Sequence, residues 1–443
     1  MTQYATQSVL FAEEYHKPVV VVFDQPDSSS DGGAVLLKAV DNQLSLTERI
    51  AACIRDMRQA GKVIHSCLDL LRQRVFGIAS GCPDCNDAGA LANDPIQKLL
   101  LDRDPIEGQG LGSQPTLSRF ENAVTSKELF RMAETLADVV IEHHAERLQG
   151  KARRITIDMD PTDDPTHGAQ QLSFFNGHYD TFCYLPMIGT LQFNEESEKY
   201  LVTAVLRPGN AHCSRGAIGI LSRVIDRLRK AFPKTQIRVR LDGGFAFPAI
   251  LEYLDRARVE YLVGFAGNSA LEARIEPLMR AARVLSSVSG KTETLFTDIR
   301  YQTKTWNKPR RLIVKAEVVR LPERPARDND RYVVTNLTLE PERVHAIYRG
   351  RGDMENKIKE LHHGLEIDRT SCTDFKANQF RVLLTAAAYV LMQEIRRQKQ
   401  EINLIIAGEV CSFLSEYSLW QRRIVVSGLS CRENWSGIDP HGN

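Results

Sequence analysis

Apolar side chains recur every three or four positions through most of the first 150 residues. The stretches 44–60, 65–79 and 126–148 all show this spacing, which predicts amphipathic helices. Ahead of them, the apolar run at 19–23 predicts a short strand, and the Ser/Asp/Gly-rich run at 28–33 predicts a loop. Residues 1–150 are therefore predicted to form a mainly helical region.

The pattern changes near residue 151, where strands and helices begin to alternate. Strand patterns occupy 155–160, 184–193, 200–206, 237–242 and 260–265, and helical patterns occupy 215–232 and 248–258. Three strands followed by helix, strand, helix and strand predict an α/β domain built on a mixed sheet.

Residues 285–338 interrupt this alternation. They are rich in Thr, Val, Arg and Pro, with strand patterns at 312–319 and 332–337, and we interpret them as a β-rich insertion. Helical patterns resume at 341–361 and 375–397. The predicted division is a helical region (1–150), the first part of the α/β core (151–284), the insertion (285–338), the second part of the core (339–400) and a C-terminal region with a frayed tail (401–443).

Composition changes this picture little. The 443 residues are 43% apolar and 26% charged with a net charge of +1, which is typical of a globular protein and does not by itself indicate a nucleic-acid partner. No stretch has the pattern of a signal peptide or approaches the ~20 apolar residues of a membrane span. Because nine cysteines are scattered along such a chain, we expect a cytoplasmic protein with reduced thiols and no membrane partner.

Three acidic residues stand out by position. Asp160 ends the first predicted core strand, Asp242 ends a later one and is followed by two glycines, and Glu355 lies within a predicted helix. Carboxylates at the ends of neighbouring strands converge, and a third from a helix completes an all-oxygen site that suits Mg²⁺ or Mn²⁺. Two such ions about 4 Å apart would support phosphodiester chemistry. Each acid taken alone is more simply explained as a surface charge, so the prediction of a metal site depends on all three acids together.

The helix that carries Glu355 offers a second indication. Tyr348, Arg351 and Glu355 are spaced i, i+3 and i+7 and share one helical face. A tyrosine and a guanidinium beside a carboxylate suit a phosphate clamp next to a metal ligand, because arginine binds phosphate bidentately. A solvated helix face with local charge pairs is the alternative.

Six strings in a fixed order carry a resemblance to a known family. The chain resembles the DDE transposases of bacterial insertion sequences, in the branch with a β-strand insertion and a Tyr-Arg-Glu-Lys signature, from about residue 20 to 400. The strings are DMDPTDDPTHG (158–168), YLP (184–186), LRPGN (206–210), RLDGGF (240–245), VTNL (334–337) and YRGRGDMENKIKE (348–360), with RTSC (369–372) and NQFR (378–381) behind them.

The resemblance implies an RNase H-like core in which Asp160, Asp242 and Glu355 bind two divalent cations, Mg²⁺ or Mn²⁺. Such a core would nick transposon ends and join the freed 3′ hydroxyl to target DNA. Asp158, on the same side of the strand as Asp160, is an alternative first ligand. Double-stranded DNA is the implied partner, bound by a homodimer beside the bacterial nucleoid.

The resemblance also implies phosphate contacts. Tyr348 and Arg351 fit the signature, but its lysine falls where this chain has His362. Lys359, one helical turn after Glu355, is the other residue that could take that role, and both remain open.

Two further groups could contact DNA. Trp306, with Arg310 and Arg311 nearby, is either a wedge that stacks on a flipped base or a core residue. Gln114 and Arg119 lie where a helix begins after Ser113, and they either face a DNA groove or belong to an ordinary capped helix.

Other classes of protein and site fit less well. Cys82 and Cys85 could bind zinc with His65 and Cys67, but the last two point apart on a predicted helix, so free thiols are favoured. No strand is followed by the glycine pattern of a dinucleotide site, and the acidic run after Asp160 lacks calcium-loop spacing. A transposase-derived DNA-binding protein that no longer cuts, and another RNase H-like nuclease, remain as alternatives.

Overall fold

The structure, a computed structural model, describes residues 29–406. The strand predicted at 19–23 and the frayed tail lie outside the described residues. The N-terminal part is helical, as predicted, and packs against the rest of the chain through the long helix α13 (Phe375–Ile406). Its helices are α1 (Val35–Leu44), α2 (Leu46–Ala51), α3 (Cys67–Ala79), α4 (Ala88–Leu91), α5 (Pro95–Leu100), α6 (Gln114–Asn122) and α7 (Ser126–Arg147).

Side-chain caps fix where two of these helices begin. Ser66 and Asp69 form a reciprocal capping box at the start of α3, and Thr125 and Glu128 do the same for α7. The helix predicted over 44–60 is wrong beyond Ala51. Ser45, with φ of 50°, separates α1 from α2 near the start of this stretch. Beyond Ala51 the Asp56 carboxylate accepts a hydrogen bond from the Arg58 amide, a local bond that competes with helical pairing.

One eight-stranded mixed sheet forms the centre of the molecule, as the α/β prediction required. Its order is β6-β5-β1-β7-β8-β11-β10-β9, in which β1, β7 and β8 run parallel and β5 and β6 run antiparallel beside β1. This order is compatible with an RNase H-like core. The bounds are β1 (Arg154–Pro161), β5 (Met187–Phe193), β6 (Tyr200–Val205), β7 (Gln236–Leu241), β8 (Glu260–Phe265), β9 (Glu293–Tyr301), β10 (Arg310–Val319) and β11 (Arg327–Thr335).

The predicted β-rich insertion continues the main sheet. β11 pairs antiparallel with β8, and β10 and β9 follow it as a meander. Helix α10 (Ser269–Ser289), which the sequence reading missed, precedes these strands and packs on β10, so the β-rich part starts after residue 289 and not at 285. The strands predicted at 312–319 and 332–337 correspond to β10 and β11.

The remaining elements surround the end of β1. The strand predicted at 184–193 is two strands, because Leu185 and Pro186 separate β4 from β5. β4 belongs to a small second sheet of order β2-β4-β3, with β2 (Asp164–Pro165), β3 (Phe174–Asn176) and β4 (Thr181–Tyr184). Helices α8 (Ala217–Ala231), α9 (Pro248–Arg256), α11 (Pro341–Arg349) and α12 (Asp353–Leu365) complete the fold.

Among residues 29–406, none of the helices combines the length and the apolar character needed to cross a lipid bilayer.

Candidate functional site

Asp160 and Asp242 lie side by side at the carboxyl ends of two adjacent parallel strands. In the register of β1 and β7, Asp158 is opposite Arg240, so the acids two positions further along each strand project on the same side of the sheet. Asp160 is buried, and Asp242 is half-buried at the start of a 3₁₀ turn. The Asp242 carboxylate accepts a hydrogen bond of 3.0 Å from the Gly244 amide, which fixes its orientation.

The electrostatics around Asp160 are those of a crowded acidic site. The pKa of Asp160 is raised to about 6: burial is the main cause, Arg351 lowers the pKa, and the charges of Asp242 and Glu355 raise it. A carboxyl group whose ionisation is opposed in this way is stabilised by added positive charge.

Arg351 supplies part of that positive charge. Its Nη2 donates to Asp160 Oδ2 at 2.7 Å, and its Nη1 lies 3.6 Å from Glu355 Oε1, so one guanidinium bridges two of the three acids. Its Nε is buried and has no hydrogen-bond partner among residues 29–406. An unsatisfied donor on a guanidinium in this position suits an anionic ligand such as a phosphate.

Tyr348 completes the group from the other side. Its hydroxyl packs on Gly264 of β8, where any Cβ would collide with it. Burial raises the pKa of Tyr348, and the charges of Asp242 and Asp160 act in the same direction. Tyr348 and Arg351 therefore both lie close to the two aspartates.

The helix that bears these residues is broken, which the sequence reading missed. The helix predicted over 341–361 is two helices, α11 and α12, joined by a 3₁₀ turn at Gly350–Gly352. The two glycines favour this break. It leaves Glu355 in the first turn of α12, not in mid-helix, with its side chain 62% exposed.

Glu355 is thus near the two aspartates without joining them. Among residues 29–406, no three His, Cys, Asp or Glu side chains converge closely enough to hold a metal ion. Asp160 and Asp242 nevertheless fit a hard divalent cation, because they offer carboxylate oxygens at a buried point that stabilises positive charge. Glu355 could reach the same point by a rotation of its exposed side chain.

Asp158 is committed to buried ion pairs. It is fully buried, accepts two hydrogen bonds of 2.8 Å from Arg240 Nε and Nη2, and lies 2.9 Å from Lys199 Nζ. Both carboxylate oxygens are therefore occupied by cationic donors. This arrangement favours Asp160 over Asp158 as the first acid of the site.

The two cations also hold the turn between α11 and α12. Arg240 Nη1 donates to the Ile347 carbonyl at 3.0 Å, and Lys199 Nζ donates to the Gly350 carbonyl at 2.6 Å. Cations at the end of α11 are favourable because the carbonyls there carry partial negative charge. The sequence reading missed this buried network, although the alternation of apolar and basic residues in β7 was a visible signal.

His362 and Lys359 are placed differently. Lys359 is exposed on α12. His362 Nε2 lies 3.0 Å from Thr162 Oγ1, two residues beyond Asp160, and its Nδ1 lies 3.2 Å from Asp368. Of the two residues, His362 is the one beside the acid-bearing strand.

Trp306 packs in an aromatic cluster. Its ring is 5% exposed, with centroids 5.3 Å from Phe265 and 6.1 Å from Tyr301. Trp306 is thus a core residue in this structure, one of the two alternatives that its sequence context allowed. Base stacking by Trp306 stays a prediction, and it would require the ring to leave this cluster.

The two arginines near Trp306 have internal partners. Arg310 is buried and donates to Asp255 at 2.6 Å, while Arg311 donates to Asp298 at 2.7 Å and to two backbone carbonyls. Both guanidiniums therefore support the fold, and their contact with DNA stays a prediction.

Helix α6 begins at Gln114, as predicted, with Ser113 at the N-cap but without a side-chain cap bond. It buries Leu117 and Phe120 and leaves Arg119 exposed, so the exposed face is free for a partner. Groove recognition by Gln114 and Arg119 stays a prediction.

The predicted free thiols fit the cysteine environments. Within the described part of the chain, Cys82 and Cys85 form no disulfide. Cys85 is buried, and His65 bonds to Arg103. Cys67 contacts Arg58. None of these contacts assembles a zinc site.

Comparison with known proteins gives a single clear relationship. No curated protein matches the chain. A family model described as "Transposase DDE domain group 1" matches residues 11–404, nearly the whole chain and all the residues of the site. The chain therefore belongs to the family of transposases with a DDE domain.

Proposed function

We propose that this protein is an active insertion-sequence transposase with an RNase H-like core. It binds the ends of its element, cleaves DNA there and joins the freed 3′ hydroxyl to target DNA. Membership of the family implies DNA as the partner and divalent metal ions as the usual cofactor. Two Mg²⁺ or Mn²⁺ ions and the residues that hold them are part of our proposal.

One observation carries the proposal: Asp160 and Asp242 meet in one acidic site, beside which Arg351 bridges Asp160 and Glu355. In Asp158 both carboxylate oxygens are paired with buried cations, whereas Asp160 and Asp242 are not held in this way by the described residues. The pKa of Asp160, raised to about 6 mainly by burial, supports a role that needs added positive charge.

Asp160, Asp242 and Glu355 would hold the ions. When bound there, two divalent cations would activate the attacking water or 3′ hydroxyl and stabilise the leaving oxygen. Arg351 would move from Asp160 to the scissile phosphate, because its unsatisfied Nε and its two terminal nitrogens match phosphate geometry. Tyr348 orients this assembly through its hydroxyl, and His362 contributes a further phosphate contact beside Thr162.

Two ends have to be held together for transposition, so we propose a homodimer on DNA. Helix α6, with Gln114 and Arg119, is the proposed contact with the end sequence. Work on chromosomal DNA would place the protein in the cytoplasm beside the nucleoid.

Cleavage of a labelled duplex that carries the DNA flanking the coding sequence tests the proposal. The protein is incubated with Mg²⁺, Mn²⁺ or EDTA, next to Asp242→Ala and Glu355→Ala. We expect metal-dependent nicking that both variants lose while they still bind DNA. Tight binding without cleavage in any metal would instead make this a DNA-binding protein that no longer cuts.

A further inference from the structure

Two phenylalanines present their rings to solvent on the small sheet β2-β4-β3. Phe175 of β3 and Phe182 of β4 are cross-strand partners, so they project from the same face. Their ring centroids are 5.6 Å apart in an edge-to-face arrangement, and the residues are 52% and 58% exposed. Exposed aromatic pairs are costly in water and mark contact surfaces.

The chain places this pair next to the acidic site. β2 begins four residues after Asp160 and pairs with β4, with Asp164 opposite Tyr184 and Pro165 opposite Cys183. On the other side of Pro186, β5 pairs with β1 so that Ile188 is opposite Asp160. The small sheet therefore extends outward from the same strand end that carries Asp160.

The turn of the hairpin also approaches the acids. Burial raises the pKa of Tyr179, between β3 and β4, and the charges of Asp163, Asp160 and Asp242 act in the same direction. The loop behind the hairpin contacts it through Gly209, whose carbonyl accepts a 2.8 Å bond from Asn176, and it carries the exposed Arg215. The aromatic rings suit a ligand with flat faces. The cation of Arg215, in the loop behind the hairpin, suits a ligand whose backbone is negatively charged.

We propose that Phe175 and Phe182 bind unpaired nucleobases of the DNA strand whose phosphate lies at Asp160 and Asp242. The inference rests on the proposed function, because it needs a DNA strand at the acids. Aromatic rings stack on any base, so the contact is insensitive to sequence and acts on a strand end freed from its complement. The phosphate at the acids directs the backbone of that strand toward Asp160 and Asp242, so its bases are the groups that face the rings.

Binding of a tailed duplex measures this contact. The probe is a short duplex with a single-stranded tail that contains 2-aminopurine, compared with the same duplex without a tail, in buffer with Ca²⁺. We expect the protein to bind the tailed probe about tenfold more tightly than the blunt one and to quench the 2-aminopurine fluorescence.

Variants separate stacking from apolar contact. The double variant Phe175→Leu with Phe182→Leu keeps apolar bulk but has no aromatic face, and it should lose both the tenfold preference and the quenching. Phe175→Tyr with Phe182→Tyr should keep both. Phe130→Ala on α7, another exposed phenylalanine, is the control and should behave like the wild type.

Each outcome decides one question. If the leucine variant keeps the preference and the quenching, the rings do not bind bases and the inference is wrong. A wild type that cleaves DNA but prefers neither probe overturns this inference alone, whereas a wild type that binds neither probe overturns the proposed function with it. A change of sedimentation coefficient in the leucine variant would assign the rings to contact with a second copy of the chain.

Discussion

The ammonium group of Lys199 donates a 2.6 Å hydrogen bond to the carbonyl oxygen of Gly350, in the turn that contains Arg351. Lys199 is fully buried and shares Asp158 with Arg240. A buried lysine, immediately before β6, thus ties the start of that strand to the segment that delivers a guanidinium to Asp160. Gly350 is required there, because a Cβ would collide with the Arg240 guanidinium.

Substitution of Lys199 by methionine should slow DNA cleavage with little loss of stability. Lys199→Met leaves one carboxylate, Asp158, against one guanidinium, Arg240, so no buried charge is left uncompensated. The turn at Gly350 loses its anchor, and a small displacement of Arg351 should reduce the cleavage rate about 10- to 100-fold. Single-turnover cleavage and urea unfolding measure the two effects.

The matched control is Lys357→Met, which removes a buried lysine from α12 that pairs with Glu198. It should cleave at close to the wild-type rate. If DNA cleavage slows equally in both variants, the effect of Lys199→Met comes from disturbed packing of α12 and not from the turn at Gly350.

Asp158→Asn should destabilise the protein strongly even without metal. The change leaves Arg240 and Lys199 buried without their shared counter-charge, which costs about 3–5 kcal/mol. Unfolding by urea in EDTA measures it, with Asp242→Asn as the control, since Asp242 is half-buried and bonds only a backbone amide in the folded protein. Unchanged stability together with lost cleavage would reinstate Asp158 as the first metal ligand.

Binding of Mn²⁺ should stabilise the protein more at pH 7.5 than at pH 5. The pKa of Asp160 is raised to about 6, chiefly by burial, so at pH 5 a proton competes with the cation for this carboxyl group. Without metal the sign reverses: the folded state holds the proton more tightly than the unfolded chain, so this group's contribution to stability falls as pH rises from about 4 to 6. Melting temperatures at both pH values, with and without Mn²⁺, check the prediction, and Asp160→Asn should remove both effects.

His362 should matter for cleavage and Lys359 should not. His362→Ala removes the group that lies beside Thr162, and we expect cleavage to fall about tenfold, the usual scale of one charge-assisted hydrogen bond. His362→Lys should retain most activity because it restores the charge of the family signature. Lys359→Ala is the comparison, and a larger loss there than in His362→Ala would reverse the assignment.

Trp306→Ala should unfold the protein more easily by about 3–5 kcal/mol, because it opens a cavity beside Phe265 and Tyr301. Thermal and urea unfolding measure the loss. A variant with normal stability and weakened binding to hairpin or junction DNA would instead support the wedge.

The sequence alone predicted the α/β order and the meeting of Asp160 with Asp242, because strand periodicity determines which residues end parallel strands. Helical spacing grouped Tyr348 and Arg351 with Glu355, but it could not show that they would lie beside the two aspartates. It did not predict the break at Gly350–Gly352, since helical spacing of apolar residues continues across the break. The ion network of Asp158 was hidden for a different reason: long basic side chains are ordinarily exposed, and only the tertiary fold buries Lys199 and Arg240.

The pairing of β11 with β8 has a mechanical consequence. From Tyr332 opposite Phe265 to Thr335 opposite Leu262, this ladder joins the three added strands to the strands that end at the acids. Rotation of strands β9–β11 against the strands that end at the acids would break the backbone hydrogen bonds between β8 and β11. The eight-stranded sheet therefore moves as one rigid unit. A partner that contacts both parts of the sheet therefore meets two surfaces at a fixed separation.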